Sequence, residues 1–234
     1  MIIGAHRSGT SATARALELL GLQIGQDLDS HREPRALQIL HEEYLHRIGA
    51  AWHNPEPFLN WIASAKGKDD CACYLRKNLE RRFSKIFGYR RNPKGFWLRM
   101  RLKMGKPWGW KEPRTTLFAP AWLQIFPQAR ILHVARDPMA AAESIREREL
   151  RFQAAGDAPT EQLSDLEYCR RLVEHYLAAA NELASLKNCL RFQFEELQAN
   201  PPAMLEQLAN FCELQPSSGA LAAAAASIRP LVRG

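Results

Sequence analysis

The chain has 234 residues, 46% of them hydrophobic and 24% charged, with a formal net charge of +7. These values are ordinary for a soluble globular protein, and the length suits one domain with its own core, so residues 1–234 are read as a single domain. The charge fits an anionic ligand without naming one, and no apolar run of about 18 residues is present, which excludes a helical membrane span.

Met1 to Ala5 reads as a short buried strand that starts abruptly, without the charged, apolar and small-residue order of a secretory leader. It runs into "GAHRSGTS" (4–11), which has the frame of a phosphate-cradling loop, G-x-x-x-x-G-K-[ST], with Gly4, Gly9 and Ser11 in register. Thr10 stands where the nucleoside-triphosphate version has lysine, and a cation appears earlier, at Arg7. Apolar spacing at Ala14, Leu17 and Leu20, with a stop at Gly21, predicts a helix over 10–22. A second helix fits 34–48, with Pro34 in its first turn and Leu37, Leu40, Tyr44 and Ile48 on one stripe. Residues 52–61, rich in Trp and Pro, read as loop; 71–87 reads as a basic amphipathic helix and 90–95 as a turn.

"WGWK" (108–111) reads as a strand, 117–127 as a helix, and "ARILHVAR" (129–136) as a buried parallel strand. Asp137 and Pro138 then open a helix as N-cap and N1 residues would. The polar stretch 146–160 reads as an irregular, mobile lid, followed by a helix over 161–187, a strand over 189–194, a helix over 202–212 and a last helix over 220–227. Strands alternating with helices imply parallel βαβ units: an α/β fold, a three-layer α/β/α sandwich with a central parallel sheet, P-loop-like at its start. Cys71, Cys73, Cys169, Cys189 and Cys212 form neither a C-x-x-C pair nor a zinc-ligand pattern, so reduced thiols in a cytoplasmic protein are expected.

Two segments carry chemistry. In the loop, backbone N–H groups converge on an anion, the next helix adds its positive end, and Ser8, Thr10 and Ser11 supply hydroxyl donors. A tight ligand-free turn is the alternative. In "ARDPMAAAES" (135–144), Arg136 closes a strand at the edge where α/β sheets bind ligands, and Ser144 follows about two helical turns later. A salt-bridging arginine and a solvent-facing serine would fit that pattern equally.

Together the two segments resemble the sulfotransferase family that uses 3′-phosphoadenosine 5′-phosphosulfate. There, a loop like HRSGTS binds the 5′-phosphosulfate, and a strand ending in Arg with Ser eight residues later binds the 3′-phosphate. The resemblance implies that His6, Arg7, Ser8, Gly9, Thr10, Ser11, Arg136 and Ser144 hold this co-substrate. It extends through 108–138 and 191–214, while 52–105 and 146–165 match poorly. A sulfuryl group carries less charge than a γ-phosphate and needs no bridging Mg²⁺, so no metal is expected. Arg7, on the family's loop Lys/Arg position, would then neutralise charge growing on the bridging oxygen.

"WKEPRT" (110–115) resembles the Lys-[Asp/Glu]-Pro segment of the carbohydrate and tyrosylprotein branches, the branches this chain looks closest to. That resemblance makes Lys111 catalytic at the transferring group; a surface lysine laid over Trp108 or Trp110 is the alternative. Arg114 is open to cofactor or acceptor binding. For the general base, Glu33 falls where some members of those branches place a glutamate after the first helix, although it also fits a plain helix-start carboxylate. His31, His41, His53 and His133 are the other candidates, His133 reading better as a core residue.

The implied activity is in-line sulfuryl transfer to a hydroxyl or amine of a small-molecule or glycan acceptor. The basic residues Arg76, Lys77, Arg81, Arg82, Arg90, Arg91, Arg99 and Arg101 form either a solvated face or an attraction for an anionic glycan. No nucleic-acid partner is expected. Arg229 and Arg233 faintly resemble a family tail that closes on the nucleotide. Two other classes stay open: a P-loop kinase or NTPase with an atypical loop, and a non-catalytic nucleotide-binding module. Thr10, and the want of a hydrophobic strand ending in a magnesium-binding Asp, count against the kinase.

Overall fold

The computed structural model describes residues 1–25, 27–87, 107–156, 158 and 160–229. Among the described residues five short strands form the centre: β1 (Ile2–Ile3), β2 (Gln23–Ile24), β3 (Trp108–Gly109), β4 (Ile131–Ala135) and β5 (Cys189–Gln193). The apolar run of β4 is buried along its whole length, as a parallel strand covered on both faces must be. It pairs in parallel with β1, Ile2 opposite Leu132, and with β5, Val134 opposite Phe192. On the other side β2 pairs in parallel with β3, and a parallel bridge between Ile2 and Lys111 joins the two ladders. The Ile2 amide donates to the Trp110 carbonyl at 3.0 Å in that joint. The strands therefore run in the spatial order 2-3-1-4-5.

Alternation along the strands sends side chains to two helical layers. Ile2, Leu132, Val134 and Phe192 pack against α1 (Thr10–Leu19), α9 (Pro201–Phe211) and α10 (Ser218–Ala226) through Leu17, Leu205, Leu208 and Ala224. Ile3 and Ile131 face Ala119 of α5 (Thr115–Ile125) and Ala180 of α7 (Leu166–Asn181). Outside α5, the helices α2 (Arg35–Arg47), α3 (Glu56–Ile62) and α4 (Ala65–Phe87) close a second cluster around Tyr44, Phe58, Phe118 and Trp122. This is the three-layer sandwich with a parallel sheet that the sequence predicts. Among the described residues no helix is long and apolar enough to cross a membrane.

Several local readings are corrected. Residues 56–62 are helix, not loop, because Phe58 and Ile62 present one buried stripe. Residues 146–154 of the expected lid are instead the second half of α6 (Pro138–Ala154), anchored by Ile145 and Glu149 on its buried face. The Glu149 carboxylate also accepts the Thr160 amide at 2.5 Å, fastening the connection that follows. The helix read over 161–187 divides at Asp165: a 3₁₀ turn, Glu161–Ser164, precedes α7, whose first turn Asp165 caps by accepting from the Tyr168 amide at 2.8 Å. An extra helix, α8 (Phe194–Ala199), separates β5 from α9. The cap on α6 is as read, with Asp137 accepting from the Ala140 amide at 2.8 Å and Pro138 at the first position. The turn read at 90–95 lies outside the described residues.

Candidate active site

All strands end at one edge of the sheet, so the segments leaving their carboxyl ends converge there. Leaving β1, the loop turns sharply. Gly4 has φ 153°, and a Cβ on it would lie 2.4 Å from the Val134 carbonyl oxygen. Gly9 has φ 92°, and a Cβ there would lie 2.3 Å from the Phe194 ring. Between them Arg7 holds φ 68°, a left-handed conformation that costs a non-glycine residue about 1–3 kcal/mol. Two contacts hold it: Arg136 Nη1 donates to the Arg7 carbonyl at 2.9 Å, and Arg7 Nε donates to Ser144 Oγ at 3.0 Å. Thr116, at the start of α5, fastens the base of the loop. Its hydroxyl accepts from the Gly4 amide at 2.9 Å and faces the Gly4 carbonyl at 3.0 Å. With Gly9 as N-cap, α1 has no side-chain cap, which leaves its first amides to a ligand or solvent.

These segments enclose a cleft of about 220 Å³. The loop contributes His6, Arg7, Gly9, Thr10 and Ser11; the connection before α2 contributes His31 and Glu33. Lys111 enters after β3, Arg136 after β4, and Arg148 from α6. Ser144 joins the group through its bond to Arg7. Ser8 does not line the cleft: its amide donates to the Ala5 carbonyl at 3.2 Å, and its buried hydroxyl is turned in beneath Gly4. The remaining expected site residues come together at this one place.

Lys111 is 2% exposed and Glu33 6%, and they form an ion pair, Nζ to Oε1, of 2.5 Å. Lys111 Nζ also donates to the His31 carbonyl at 3.2 Å, and Gln38 Nε2 donates to Glu33 Oε2 at 2.6 Å. Asp29 shapes the connection by accepting from the amides of His31 and Glu33 at 2.8 and 2.9 Å. Lys111 is therefore no surface lysine laid on tryptophan, and Glu33 has partners well beyond the helix dipole.

Beneath Lys111, a second set of charges is sealed in the core. Glu112 accepts from Arg114 Nε at 3.0 Å and faces His41 Nδ1, while Trp122 Nε1 donates to His41 Nε2 at 3.0 Å. The tryptophan bond makes Nε2 the acceptor, which assigns the proton to Nδ1. Burial alone would raise the Glu112 carboxyl, but the charge of Arg114 and the hydrogen bond from His41 outweigh it and hold it at about 2. Arg114 also reaches Glu42 at 2.9 Å. It is 6% exposed and fully engaged in ion pairs, and Pro113, not Arg114, lines the cleft.

Of the base candidates, Glu33 and His31 line the cleft. His41 is spent on Glu112 and Trp122, and His53 faces a separate surface pocket with Tyr168 and His175. His133 is fully buried, and burial, with Arg191 nearby, lowers it to about 4. In the described part of the basic run Arg76, Lys77 and Arg81 are exposed and Arg82 pairs with Glu43. Arg229 is exposed, and its carbonyl accepts from Gln198; Arg90, Arg91, Arg99, Arg101 and Arg233 lie outside the described residues. Sequence reasoning missed Thr116 and Arg148. Nothing local marks Thr116, whereas Arg148 stands four residues after Ser144 on the same helical face.

The molecule is thus an α/β protein whose sheet edge gathers cations and helix amides around one small cleft, the architecture of an anion-handling enzyme. The chain belongs to the sulfotransferase family: a sequence model of that family matches residues 1–217. Its fold is similar to the crystal structure of the sulfotransferase STF9 from Mycobacterium avium, with a TM-score of 0.52 and 16% identity. That match covers 96% of this chain and 66% of the mycobacterial one, so the present chain spans a little under two thirds of its relative's length. No curated protein matches.

Proposed function

We propose that this sulfotransferase takes its sulfuryl group from 3′-phosphoadenosine 5′-phosphosulfate and passes it to a hydroxyl or amine of a small-molecule or glycan acceptor. One observation carries the reading: Arg136 and Ser144, after β4, touch Arg7, after β1, across a single cleft. The 3′-phosphate would take Arg136 and Ser144; the phosphosulfate would take the amides of Gly9 to Ser11, the Thr10 and Ser11 hydroxyls and Arg7.

In the transfer, the acceptor oxygen attacks sulfur in line and its proton passes to Glu33. The bond from sulfur to the 5′-phosphate oxygen breaks, and the electron pair stays on that oxygen, where Arg7 meets the charge. Lys111 starts as the counter-ion of Glu33. Protonation of Glu33 removes that partner's charge and frees the ammonium for the sulfuryl oxygens. The buried Glu33–Lys111 pair also supports placing the chain near the carbohydrate and tyrosylprotein branches.

Calorimetry with adenosine 3′,5′-bisphosphate in the absence of Mg²⁺, beside ATP with Mg²⁺, tests the reading. The bisphosphate should bind more tightly and, at a hundredfold excess over Kd, add about 2.7 kcal/mol, raising Tm by roughly 5–10 °C. Failure of the bisphosphate to bind, or a preference for ATP with Mg²⁺, overturns it.

A further inference from the structure

Charges around the cleft do not balance. Lys111 is paired with Glu33, and Arg136 lies 3.9 Å from Glu195. Arg7 donates to a serine, and its neighbours Arg148, Arg151 and Arg136 add to burial in lowering its pKa, a mark of surplus positive potential. Arg148 forms no ion pair within 4.0 Å among the described residues, and its Nε is buried without a hydrogen-bond partner; burial lowers its pKa in spite of the more distant carboxylates of Glu149 and Glu33. An arginine whose charge is half withdrawn from water and left unpaired is costly unless something else completes it.

Its placement is specific. The Arg148 guanidinium lies 5.3 Å from the centre of the Trp52 ring and 5.8 Å from that of Phe152. Trp52 in turn leans on His6, ring centres 4.5 Å apart, and Tyr176 pins the Trp52 backbone by donating to its carbonyl at 3.0 Å. The guanidinium carbon thus sits at cation–π range over two aromatic rings, while the residue lines the cleft with Glu33 and Lys111. Arg148 stands one helical turn past Ser144 and over Trp52, and its charge acts on Arg7 from that position. Arginine's planar fork of donors suits a two-oxygen anion.

We infer that Arg148 is an acceptor-recognition residue, and that the acceptor carries an oxoanion, a carboxylate or a sulfate ester, close to the group that receives the sulfuryl. The inference rests on the sulfotransferase reading of the cleft and names the class of acceptor for it. The nucleotide's anions are met by Arg7, Arg136 and the α1 amides. The acceptor's anion completes Arg148 and brings the neighbouring hydroxyl towards Glu33. Neutral acceptors leave the guanidinium unsatisfied and are disfavoured for that reason.

The test uses the protein saturated with adenosine 3′,5′-bisphosphate and three matched probe pairs: methyl glucuronide and its amide, 4-hydroxybenzoate and its amide, galactose 6-sulfate and galactose. Calorimetry on the wild type and on Arg148→Gln reads the affinities. For at least one pair the anionic member should bind the wild type tenfold or more tightly than its neutral partner. That preference should fall to about one in Arg148→Gln while bisphosphate affinity stays within twofold. Carboxylate and sulfate arms show which oxoanion is read. The inference is overturned if no pair shows an anion preference, if the preference survives Arg148→Gln, or if Arg148→Gln loses the bisphosphate, which would assign the residue to the nucleotide. Failure of the wild type to bind bisphosphate at all is the separate failure of the underlying reading.

Discussion

Glu33 and Lys111 each answer for the other. A buried pair that loses one member leaves an uncompensated charge, a loss of about 3–5 kcal/mol. Lys111→Ala should therefore lower Tm as well as turnover, and Lys111→Met combined with Glu33→Gln should melt above Lys111→Ala; thermal scans of the two variants check this. Glu33→Gln keeps a side chain of the same size beside Gln38. It should lower kcat by about 10²–10⁴ with bisphosphate affinity intact, as removal of a general base does. Equal loss of affinity would mean that the carboxylate shapes the cleft and takes no proton. Gly9→Ala faces both a left-handed φ and the Phe194 ring, so bisphosphate binding should fall at least tenfold, measured by calorimetry on protein shown to be folded by circular dichroism.

At the scale of the element, the loop depends on a helix far away in sequence. Thr116→Val keeps the shape of the side chain but strips both hydrogen bonds from the Gly4 peptide, whose buried amide and carbonyl then go unmet. A loss of about 1–3 kcal/mol in urea unfolding is expected, with a larger fractional loss in nucleotide affinity than in stability. The same contrast explains what the sequence could disclose. Gly4, Gly9, Arg136 and the Asp137–Pro138 cap act through local geometry, so each leaves a readable spacing. The tie from Thr116 is long-range and leaves none. Strand β2 has only Gln23 and Ile24 and shows no period; α3 hides among prolines and tryptophans that read as loop. Residues 146–154 misled for the opposite reason, since their dense charge masks a stripe of only Ile145 and Glu149. Glu33 and Lys111 were each legible by position, but their pairing required the β3 end and the β2–α2 connection to meet.

Across the whole molecule, buried histidines govern the response to acid. Burial holds His6 and His41 below the ordinary 6.5, and His133 is lowered to about 4. Below pH 6.5 the unfolded chain takes up protons that the folded chain refuses, so stability declines as pH drops from 6.5. Glu112 acts later. Its folded value of about 2 lies under the ordinary 4.5, so its contribution is whole above pH 4.5 and drains away as pH falls towards 2. Urea midpoints should fall steadily as pH drops from 6.5 to 4.5. His133→Leu should raise the midpoint more at pH 5 than at pH 8.

The strand at the middle of the sheet precedes the other described strands in the chain, and every partner it has comes late. Ile2 and Ile3 wait for Lys111, Leu132 and His133, and the Gly4 peptide waits for a hydroxyl 112 positions further on. A growing chain on the ribosome consequently carries its anion loop unformed until β4 has emerged, and an amino-terminal fragment ending before residue 131 would hold no nucleotide however intact its motif. The geometry of the loop is completed only by segments that follow it by more than a hundred residues.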